Sequence, residues 1–375
     1  MAPIPLSGTR WKTGCTSRKP SWPLYSEKTL SLRLKNLRQQ MESEELSGFI
    51  LSLPENIGYF TGLFLEGTCC LVTSQDIFLF VQILIYEEAS YYLSESKRPY
   101  FLKPYKFAAL WEKKSVLANL KRVGLEPESS ASLLLRLQKA FPKVHFLASQ
   151  IPLEVRSIKD NSEVAFIREA GGITRKIYPR IKGRIRPGIS EEEVSRILRG
   201  YLRGSGVQEA FPAITAVRQG SLFPHAVPTP KEFGSHDWMI LDFGARYYGY
   251  CSDFTRVVFS GKIEKDVSRV YNALEEAKEK AEESVMPGIS ARAVDFAGRN
   301  VLKKRGLARY FIHGIGHGVG LSVHEKPVLG LQSTDVLKEG MVITLEPAVY
   351  IPGWGGMRIE DTYLVTRNGL ENLTA

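Results

Sequence analysis

Apolar residues in the first part of the chain recur first at helical and then at strand spacing. Between residues 30 and 41, apolar side chains return every three or four positions, which predicts an amphipathic helix. Short apolar runs predict strands at 48–53, 69–73, 77–81 and 144–148, and the patterns at 111–122 and 131–141 predict helices. Helices that alternate with short strands predict a small α/β domain with a mixed sheet over residues 26–152.

The second part of the chain, residues 153–375, opens with a longer helical pattern that starts near Ser162. The pentapeptide Arg186-Pro-Gly-Ile-Ser190 recurs one hundred residues later as Met286-Pro-Gly-Ile-Ser290. Each copy follows a charged helical pattern, ends it with Pro-Gly and offers a serine as N-cap of the next helix. The repeat predicts two related halves, with ligands gathered where the halves meet.

Composition and charge exclude some classes of partner. Of 375 residues, 43% are hydrophobic and 24% are charged, as in ordinary globular proteins. The longest apolar run, 77–85, is interrupted by Gln82 and is far shorter than the ~20 residues that span a bilayer. The formal net charge is +10, but basic residues at 175–203 are interleaved with acidic ones and no nucleic-acid motif accompanies them. We therefore expect neither a membrane nor a nucleic acid as partner.

The first residues and the cysteines bear on the compartment. Residues 1–25 are basic and lack a continuous apolar stretch, so we expect a flexible leader and no secretory signal. The four cysteines, at positions 15, 69, 70 and 251, do not have the spacing of a disulfide framework. Reduced thiols in the cytoplasm are the simplest interpretation, with import into an organelle through the leader as the alternative.

Four acidic residues in the second part are spaced so that hairpins would bring them together. The midpoint between Asp242 and Asp253 falls at 247–248, and the midpoint between Glu346 and Glu360 falls in a glycine-rich turn sequence. Directly opposed residues of an antiparallel ladder share a face, with Cβ atoms roughly 5 Å apart. Like charges placed there repel one another, so the arrangement predicts bound cations, and carboxylates favour hard divalent ions.

The two-residue period of a strand predicts on which face of the sheet each neighbour of these acids lies. Arg358 shares the face of Glu360, where it is predicted either to form a supporting ion pair or to bind a substrate carboxylate. Asp361 must point to the opposite face. Thr344, two residues before Glu346, is predicted to donate a supporting hydrogen bond.

Five of the six histidines follow residue 220, as do the four acids. His225 lies in a proline-bounded segment, seventeen residues before Asp242. His313, His317 and His324 lie in a segment with glycine at every second position from 314 to 320. The glycines disfavour a helix and allow the backbone to approach a cluster closely. These histidines and the acids together predict a metal site.

Several segments carry a family resemblance. They are Leu241-Asp-Phe-Gly-Ala, Tyr250-Cys-Ser-Asp-Phe-Thr-Arg256, His313-Gly-Ile-Gly-His-Gly-Val-Gly320, Thr344-Leu-Glu-Pro347, Gly355-Gly-Met-Arg-Ile-Glu-Asp361 and, earlier in the chain, Asn56-Ile-Gly-Tyr-Phe-Thr-Gly62. On these residues the chain resembles the pita-bread metallopeptidases, in the branch of Xaa-Pro aminopeptidases and prolidases. The resemblance implies a two-domain α/β fold, with a creatinase-like N-terminal domain at 26–152 and a pseudo-twofold pita-bread catalytic domain at 153–375.

The resemblance implies a dinuclear metal centre. Its ligands would be Asp242, Asp253, His317, Glu346 and Glu360, of which Asp253 and Glu360 would contact both ions. The family commonly uses manganese, with cobalt, zinc or iron as alternatives. Four carboxylates and one imidazole agree with a hard ion such as Mn²⁺.

The resemblance also implies a set of reacting residues. His225, His313 and His324 would bind substrate and assist proton movement. In the mechanism that we expect from this site, Glu346 is the candidate acceptor of a proton from the attacking water, and Arg358 is a candidate substrate-binding residue beside its alternative role in an ion pair.

The implied activity is hydrolysis of the bond between an N-terminal residue and a following proline, which is the reaction of an Xaa-Pro aminopeptidase. The first alternative is prolidase, which is restricted to Xaa-Pro dipeptides. Methionine aminopeptidase is a less favoured alternative, because that activity does not need the additional N-terminal domain found here. A metal-free hydrolase or a non-catalytic binding module on the same scaffold would have lost ligands, and none of the five is lost here.

The resemblance further implies proline-containing peptides as substrates and a homodimer as the assembly. Two features depart from the family pattern. Gln82 and Leu84 stand where members often carry an Asp-x-Arg step, and Glu346 is followed by Pro-Ala where Pro-Gly is commoner. Neither departure removes a predicted ligand.

Overall fold

A mixed sheet with helices around it forms the N-terminal unit of the protein. The computed structural model describes residues 25–95, 102–112 and 116–375, and the predicted leader, apart from Tyr25, lies outside them. The helices of this unit are α1 (Glu27–Ser43), α2 (Pro54–Thr61), α3 (Tyr86–Glu95) and α4 (Ala131–Ala140). The strands are β1 (Gly48–Leu51), β2 (Thr68–Thr73), β3 (Ile77–Val81), β4 (Leu102–Lys106), β5 (Arg122–Leu125) and β6 (His145–Ala148).

The strands of this sheet follow the order β4-β3-β2-β1-β5-β6. The central pairs β1–β2 and β2–β3 are antiparallel, and the outer pairs β3–β4, β1–β5 and β5–β6 are parallel. The predicted mixed sheet is therefore confirmed. The parallel connections run through helical segments, as parallel strands require.

One predicted element of this unit is wrong. The described residues of 111–122 form short 3₁₀ turns, and the strand β5 begins at Arg122, where the helix was expected to end. This strand has four residues and includes a glycine, so it is too short to show a two-residue period. The predicted strand at 77–81 is confirmed as β3, and Ile83 and Leu84, which follow it, are exposed.

Helix α5 (Ile151–Ser157) connects the N-terminal unit to the C-terminal unit. The helices of the C-terminal unit are α6 (Asn161–Lys182), α7 (Glu191–Gly204), α8 (Lys265–Ser284) and α9 (Ala291–Lys304). Its strands are β7 (Gln208–Glu209), β8 (Ile214–Val217), β9 (Trp238–Asp242), β10 (Ala245–Tyr247), β11 (Tyr250–Cys251), β12 (Thr255–Phe259), β13 (Gly316–Gly318), β14 (Glu325–Leu329), β15 (Val342–Leu345), β16 (Ala348–Ile351), β17 (Gly355–Arg358), β18 (Asp361–Thr366) and β19 (Gly369–Asn372).

Two similar halves make up the C-terminal unit, as the repeated pentapeptide predicted. Helices α6 and α7 pack on the sheet β12-β9-β8, while α8 and α9 pack on the sheet β14-β13-β15-β18-β19. Ser190 caps α7 and Ser290 caps α9, each through a hydrogen bond to a backbone N–H three residues later. The preceding glycines, Gly188 and Gly288, have φ angles of +91° and +94°. Equivalent residues thus adopt equivalent conformations in both halves.

One continuous apolar core joins the N-terminal and C-terminal units. Residues of α1 and α2 pack against α5, α6 and the hairpin that contains Tyr250. Tyr25 reaches across the junction, where its hydroxyl lies 2.7 Å from the hydroxyl of Tyr250. In the described residues, no helix combines the length and the hydropathy that crossing a bilayer requires.

Neighbouring glycines on α6 allow a test of this packing. A Cβ atom at Gly171 would lie 2.2 Å from the carbonyl oxygen of Leu373, whereas nothing lies within 4 Å of one at Gly172. We expect Gly171→Ala to lower the free energy of unfolding by about 1–3 kcal/mol, because backbone must move. Gly172→Ala is the matched control, and it should raise that free energy by about 0.5–1 kcal/mol. Equal effects in urea unfolding would contradict the packing of α6 on the C-terminal strand.

Candidate metal centre

Asp242 and Asp253 lie on the two arms of one hairpin. Asp242 pairs with Thr255, and the turn is formed by Tyr248 and Gly249, whose φ angles are +48° and +86°. Two consecutive positive φ angles are typical of the tight turns that match strand twist, and this turn is centred one residue later than the predicted midpoint. The predicted direct opposition is therefore wrong, and Asp253 lies diagonally from Asp242. Both side chains line the same cavity.

The second acidic hairpin has the predicted register. Strands β15 and β18 pair Leu345 with Asp361, and β16 and β17 continue in the same register. Glu346 and Glu360 lie between these ladders and are opposed. Glu360 also forms an isolated antiparallel bridge with Thr255 of the first hairpin. This bridge brings the two acidic hairpins together.

The structure brings the five predicted ligands into one cavity of about 670 Å³. Oxygen atoms of Asp253 and Glu360 and a ring nitrogen of His317 lie within 4.8 Å of one another. His317 Nε2 is 3.5 Å from Oε1 of Glu346 and 3.8 Å from Oδ2 of Asp253. Ligands that each lie ~2.1 Å from one ion are separated by roughly 3–4 Å, so these spacings fit a shared cation. Asp242 lines the same cavity.

The acidic side chains of the cavity are short of counter-charge. Asp242 Oδ1 and Glu360 Oε1 are buried without a hydrogen-bond partner in the described residues. Burial, followed by repulsion from Asp242 and Glu346, raises the pKa of Asp253 well above its usual range, and burial and Asp253 do the same to Glu360. Burial also raises the pKa of Glu346 to about 7. Hard divalent cations would satisfy the open oxygens, so the residues present fit a metal centre.

His317 is held in its neutral form. Its Nδ1 lies 3.1 Å from the carbonyl oxygen of Gly318, which can only accept, so Nδ1 carries the hydrogen and Nε2 presents its lone pair to the acids. Burial, with a contribution from His324, lowers the pKa of His317 to about 3. The backbone N–H of His317 donates to Thr344 Oγ1 at 3.2 Å. Thr344 therefore supports the site as an acceptor, whereas it was predicted to be a donor.

The strand that carries His317 lies against its neighbours at backbone distance. A Cβ atom at Gly316 would be 2.0 Å from the carbonyl oxygen of Thr344, and one at Gly318 would be 2.0 Å from that of Lys326. Only glycine fits these positions. The segment is a short strand, so the prediction against a helix is confirmed.

Arg358 links the acids to His313. Its guanidinium forms a buried ion pair with Asp242 and donates to the Tyr350 hydroxyl at 2.7 Å. His313 Nδ1 is 2.7 Å from the carbonyl oxygen of Gly314, so Nε2, 3.1 Å from the Tyr350 hydroxyl, accepts a hydrogen bond from it. Burial lowers the pKa of His313 to about 4. The geometry matches the first of the two roles predicted for Arg358, the supporting ion pair.

His225 and His324 stand at the mouth of the cavity. Both side chains are exposed and both line the cavity. The rings of His324 and His317 are 4.4 Å apart between centroids. Partial desolvation of its ring against the cavity wall, and then the neighbouring His225, lowers the pKa of His324. The imidazoles of His225 and His324 thus both line the cavity that holds the acids.

Asp361 faces away from the cavity, as predicted. Its carboxylate accepts a hydrogen bond from Arg256 at 2.7 Å and forms an ion pair with Lys278. Burial alone would raise the pKa of Asp361, but these two cations lower it overall. The neighbouring carboxylates Glu360 and Asp361 thus have opposite electrostatic surroundings.

Sequence reasoning missed two residues of the site. Thr255 donates to Glu360 Oε2 at 2.7 Å, which leaves the other oxygen of Glu360 open. Tyr350 connects Arg358 to the histidine side of the cavity. The two-residue period that starts at Glu346 places Tyr350 on the same face and could have identified it. Nothing local identifies Thr255, because its role depends on the contact between the hairpins.

Comparison with known proteins finds a matching family model for each unit. Residues 165–367 match the model of metallopeptidase family M24, and residues 33–158 match the creatinase/prolidase N-terminal domain. The chain is 35% identical to an Xaa-Pro dipeptidase of Pyrococcus furiosus, over 91% of this chain and 97% of the relative.

Solved structures agree with the sequence matches. An Xaa-Pro dipeptidase from Bacillus anthracis superposes with a TM-score of 0.85 at 30% identity, over 92% of this chain and 97% of that one. An X-Pro aminopeptidase from Thermotoga maritima superposes with a TM-score of 0.76 at 28% identity, over 90% of this chain and 97% of that one. The two-domain fold implied by the sequence is therefore confirmed.

The raised pKa values predict a pH-dependent response to metal. Without metal, the acids favour their protonated forms in the folded state, so the stability that Glu346 contributes is complete below its usual pKa of 4.5 and is lost as pH rises through about 7. Bound cations reverse this dependence, because ligands must lose their protons. We expect the increase in Tm on adding Mn²⁺ to grow between about pH 5 and pH 8. An equal increase at both ends of that range would contradict the prediction.

Neighbouring carboxylates provide a second test. Glu360→Gln should lower metal affinity by more than the roughly 10- to 100-fold that loss of a supporting contact costs. Asp361→Asn is the matched control, which should lower Tm through its broken ion pairs but retain the metal content of the wild-type protein. The measurement is metal content after dialysis against a range of free Mn²⁺ concentrations. Equal metal loss in both variants would contradict the assignment of the faces.

Proposed function

The chain belongs to metallopeptidase family M24 and is a metal-dependent hydrolase, and we propose that it cleaves the bond between an N-terminal residue and a following proline. The observation that carries this proposal is the convergence of four carboxylates and one neutral imidazole in a single cavity. Relatives named Xaa-Pro dipeptidase, which match nearly the whole chain, support the proline specificity.

We assign the metal ligands as Asp242, Asp253, His317, Glu346 and Glu360. When bound, divalent ions would supply Lewis-acid polarisation and lower the pKa of a water molecule. Oxygen ligands with a single imidazole favour Mn²⁺ over softer ions. The open oxygens Asp242 Oδ1 and Glu360 Oε1 support this assignment, because they have no partner in the described residues.

Side chains around the acids would move the protons. Glu346 lines the cavity with its Oε1 3.5 Å from His317 Nε2, and it would accept the proton of the attacking water. His324 would donate to the oxyanion that develops on the substrate carbonyl, and His225 would assist the leaving nitrogen of proline. His313 has both ring nitrogens engaged within the protein, so its contribution would be to hold the Tyr350 hydroxyl in the cavity wall.

The remaining walls of the cavity suit an apolar dipeptide. They consist of apolar side chains and include Phe211, Pro212, Ile214, Pro224, Val227, Pro228, Ile312 and Val323. Ligand cavities of roughly 300–1,000 Å³ that combine apolar walls with a few polar groups bind small molecules. The proline ring and the preceding side chain would occupy these walls.

Dipeptides are the first substrate class that we propose, and longer Xaa-Pro peptides are the second. The sequence alone favoured the aminopeptidase reaction. The relatives named Xaa-Pro dipeptidase favour prolidase activity. The similar structure from Thermotoga maritima that is named X-Pro aminopeptidase is the reason for the second class.

We further propose a cytoplasmic homodimer. The dimer rests on the family resemblance. The cytoplasmic location is supported by Cys69, Cys70 and Cys251, which are buried free thiols in the described residues, as expected of a reducing compartment.

A substrate panel tests the function. The Mn²⁺-loaded protein is assayed with Met-Pro, Met-Pro-Gly and Met-Ala, and we expect kcat/KM to be highest for Met-Pro and lowest for Met-Ala. Glu346→Gln should lower kcat on Met-Pro by at least about a hundredfold, because the proton acceptor is lost. Equal rates on Met-Pro-Gly and Met-Pro would select the aminopeptidase. Failure to cleave either proline peptide would refute the proposal.

A further inference from the structure

A chain of buried polar side chains runs from the N-terminal sheet to the candidate metal centre. Asn56 Nδ2 donates to Glu126 Oε1 at 2.7 Å, and Arg156 Nη1 donates to Asn56 Oδ1 at 2.7 Å. Arg156 then forms an ion pair with Glu325, whose second oxygen is 2.8 Å from Lys159 Nζ. None of these five residues is more than 8% exposed. The chain therefore links two structural units through their interior.

Stability alone does not explain these charges. Buried ion pairs are often no more stabilising than apolar side chains of the same volume, because removing charges from water is costly. At Glu325 burial opposes ionisation, but Arg156 and Lys159 lower its pKa, so the carboxylate stays charged. Glu126 accepts hydrogen bonds from the backbone N–H groups of Ser52 and Leu53, which fix it to the end of β1. The ion pairs of Glu325 and the hydrogen bonds of Glu126 thus hold the two ends of this row of polar side chains in defined positions.

The end of this chain fixes the loop that carries His324. Arg156 Nη2 donates to Ser322 Oγ at 3.2 Å, and the backbone N–H of Ser322 lies 3.4 Å from Glu325 Oε2. A Cβ atom at Gly320 would lie 2.3 Å from Glu325 Oε1, so the carboxylate fills the inside of the loop. The loop is closed around Glu325 and is fastened to α5.

The side chain of His324 is held less firmly than the loop that carries it. In the described part of the chain, no hydrogen bond holds its imidazole, which is exposed and rests beside the ring of His317. The position of the imidazole therefore depends on the backbone of its loop. A displacement of about 1 Å is enough to reduce a rate substantially.

We propose that Glu325 and Arg156 are positioning residues for His324, and that Asn56 and Glu126 make the N-terminal unit part of the catalytic apparatus. This inference rests on the proposed function, in which His324 contacts the substrate. The N-terminal unit contributes no side chain to the cavity lining given above; it acts through the loop.

The main test is Glu325→Gln, which keeps the shape of the side chain and removes its charge. With Mn²⁺-loaded protein and Met-Pro, we expect kcat to fall between about tenfold and about a hundredfold, with KM and metal content little changed. Adding Glu325→Gln to His324→Ala should cause no further loss, since both changes act on the same group. Unchanged kcat, or losses that multiply in the double variant, would overturn the proposal.

Two further variants separate positioning from general weakening of the junction. Arg156→Lys keeps the charge but cannot bridge Asn56, Ser322 and Glu325 at once, and it should lower kcat even if Glu325→Gln fails to fold. Arg33→Lys is the matched control, because the buried Arg33 also forms ion pairs across the junction, 2.8 Å from Asp160 and 3.3 Å from Glu163. It should lower Tm and leave kcat unchanged. An equal loss of kcat in the control would overturn the proposal.

A structural measurement keeps this inference distinct from the proposed function. Crystal structures of wild-type and Glu325→Gln protein should show the His324 imidazole displaced relative to His317 in the variant only. An inactive wild-type protein would refute the proposed function, and the displacement would still be readable. An active wild-type protein with an undisplaced His324 in the variant would overturn only the inference.

Discussion

The repulsion among four carboxylates in one buried cavity is the constraint on which the rest of the site depends. Like charges in a low-dielectric interior raise one another's pKa, and here burial and proximity together favour protonated Asp253 and Glu360. The surrounding residues limit this cost, since Arg358 neutralises one acid and Thr255 satisfies one oxygen of another. The arrangement costs the protein stability unless cations are bound. The fold therefore maintains a site that is suited to metal binding at the expense of its own stability.

Rigid backbone makes that arrangement possible. The acids lie on two hairpins that contact each other through one isolated bridge, and His317 lies on a strand that only glycines allow to approach. The two halves of the C-terminal unit place one hairpin each beside the cavity. The N-terminal unit is fastened to the same region through a shared apolar core and buried ion pairs. Elements from both units thus hold the acids and histidines of the cavity at spacings of a few ångströms.

Much of this organisation was predictable because it depends on local patterns. Strand and helix spacing identified most of the elements, and the repeated pentapeptide identified the two halves, since a cap and a glycine of positive φ are local requirements. The segment 111–122 was misassigned because short strands carry too few residues to show a period. The predicted pairing of Asp242 with Asp253 was wrong, because the turn is centred between Tyr248 and Gly249. That is one residue later than the midpoint between the two acids.

By itself, the sequence determined which side chains could meet: the acids and histidines with suitable spacing, and the glycines that let them approach. Only the tertiary structure decided how they meet. Thr255 bridges the hairpins, Tyr350 connects Arg358 to His313, and Glu325 closes the loop of His324. The physical reason is that these contacts join residues far apart in the chain. Their partners are set by the packing of whole elements, which no local pattern of residues encodes.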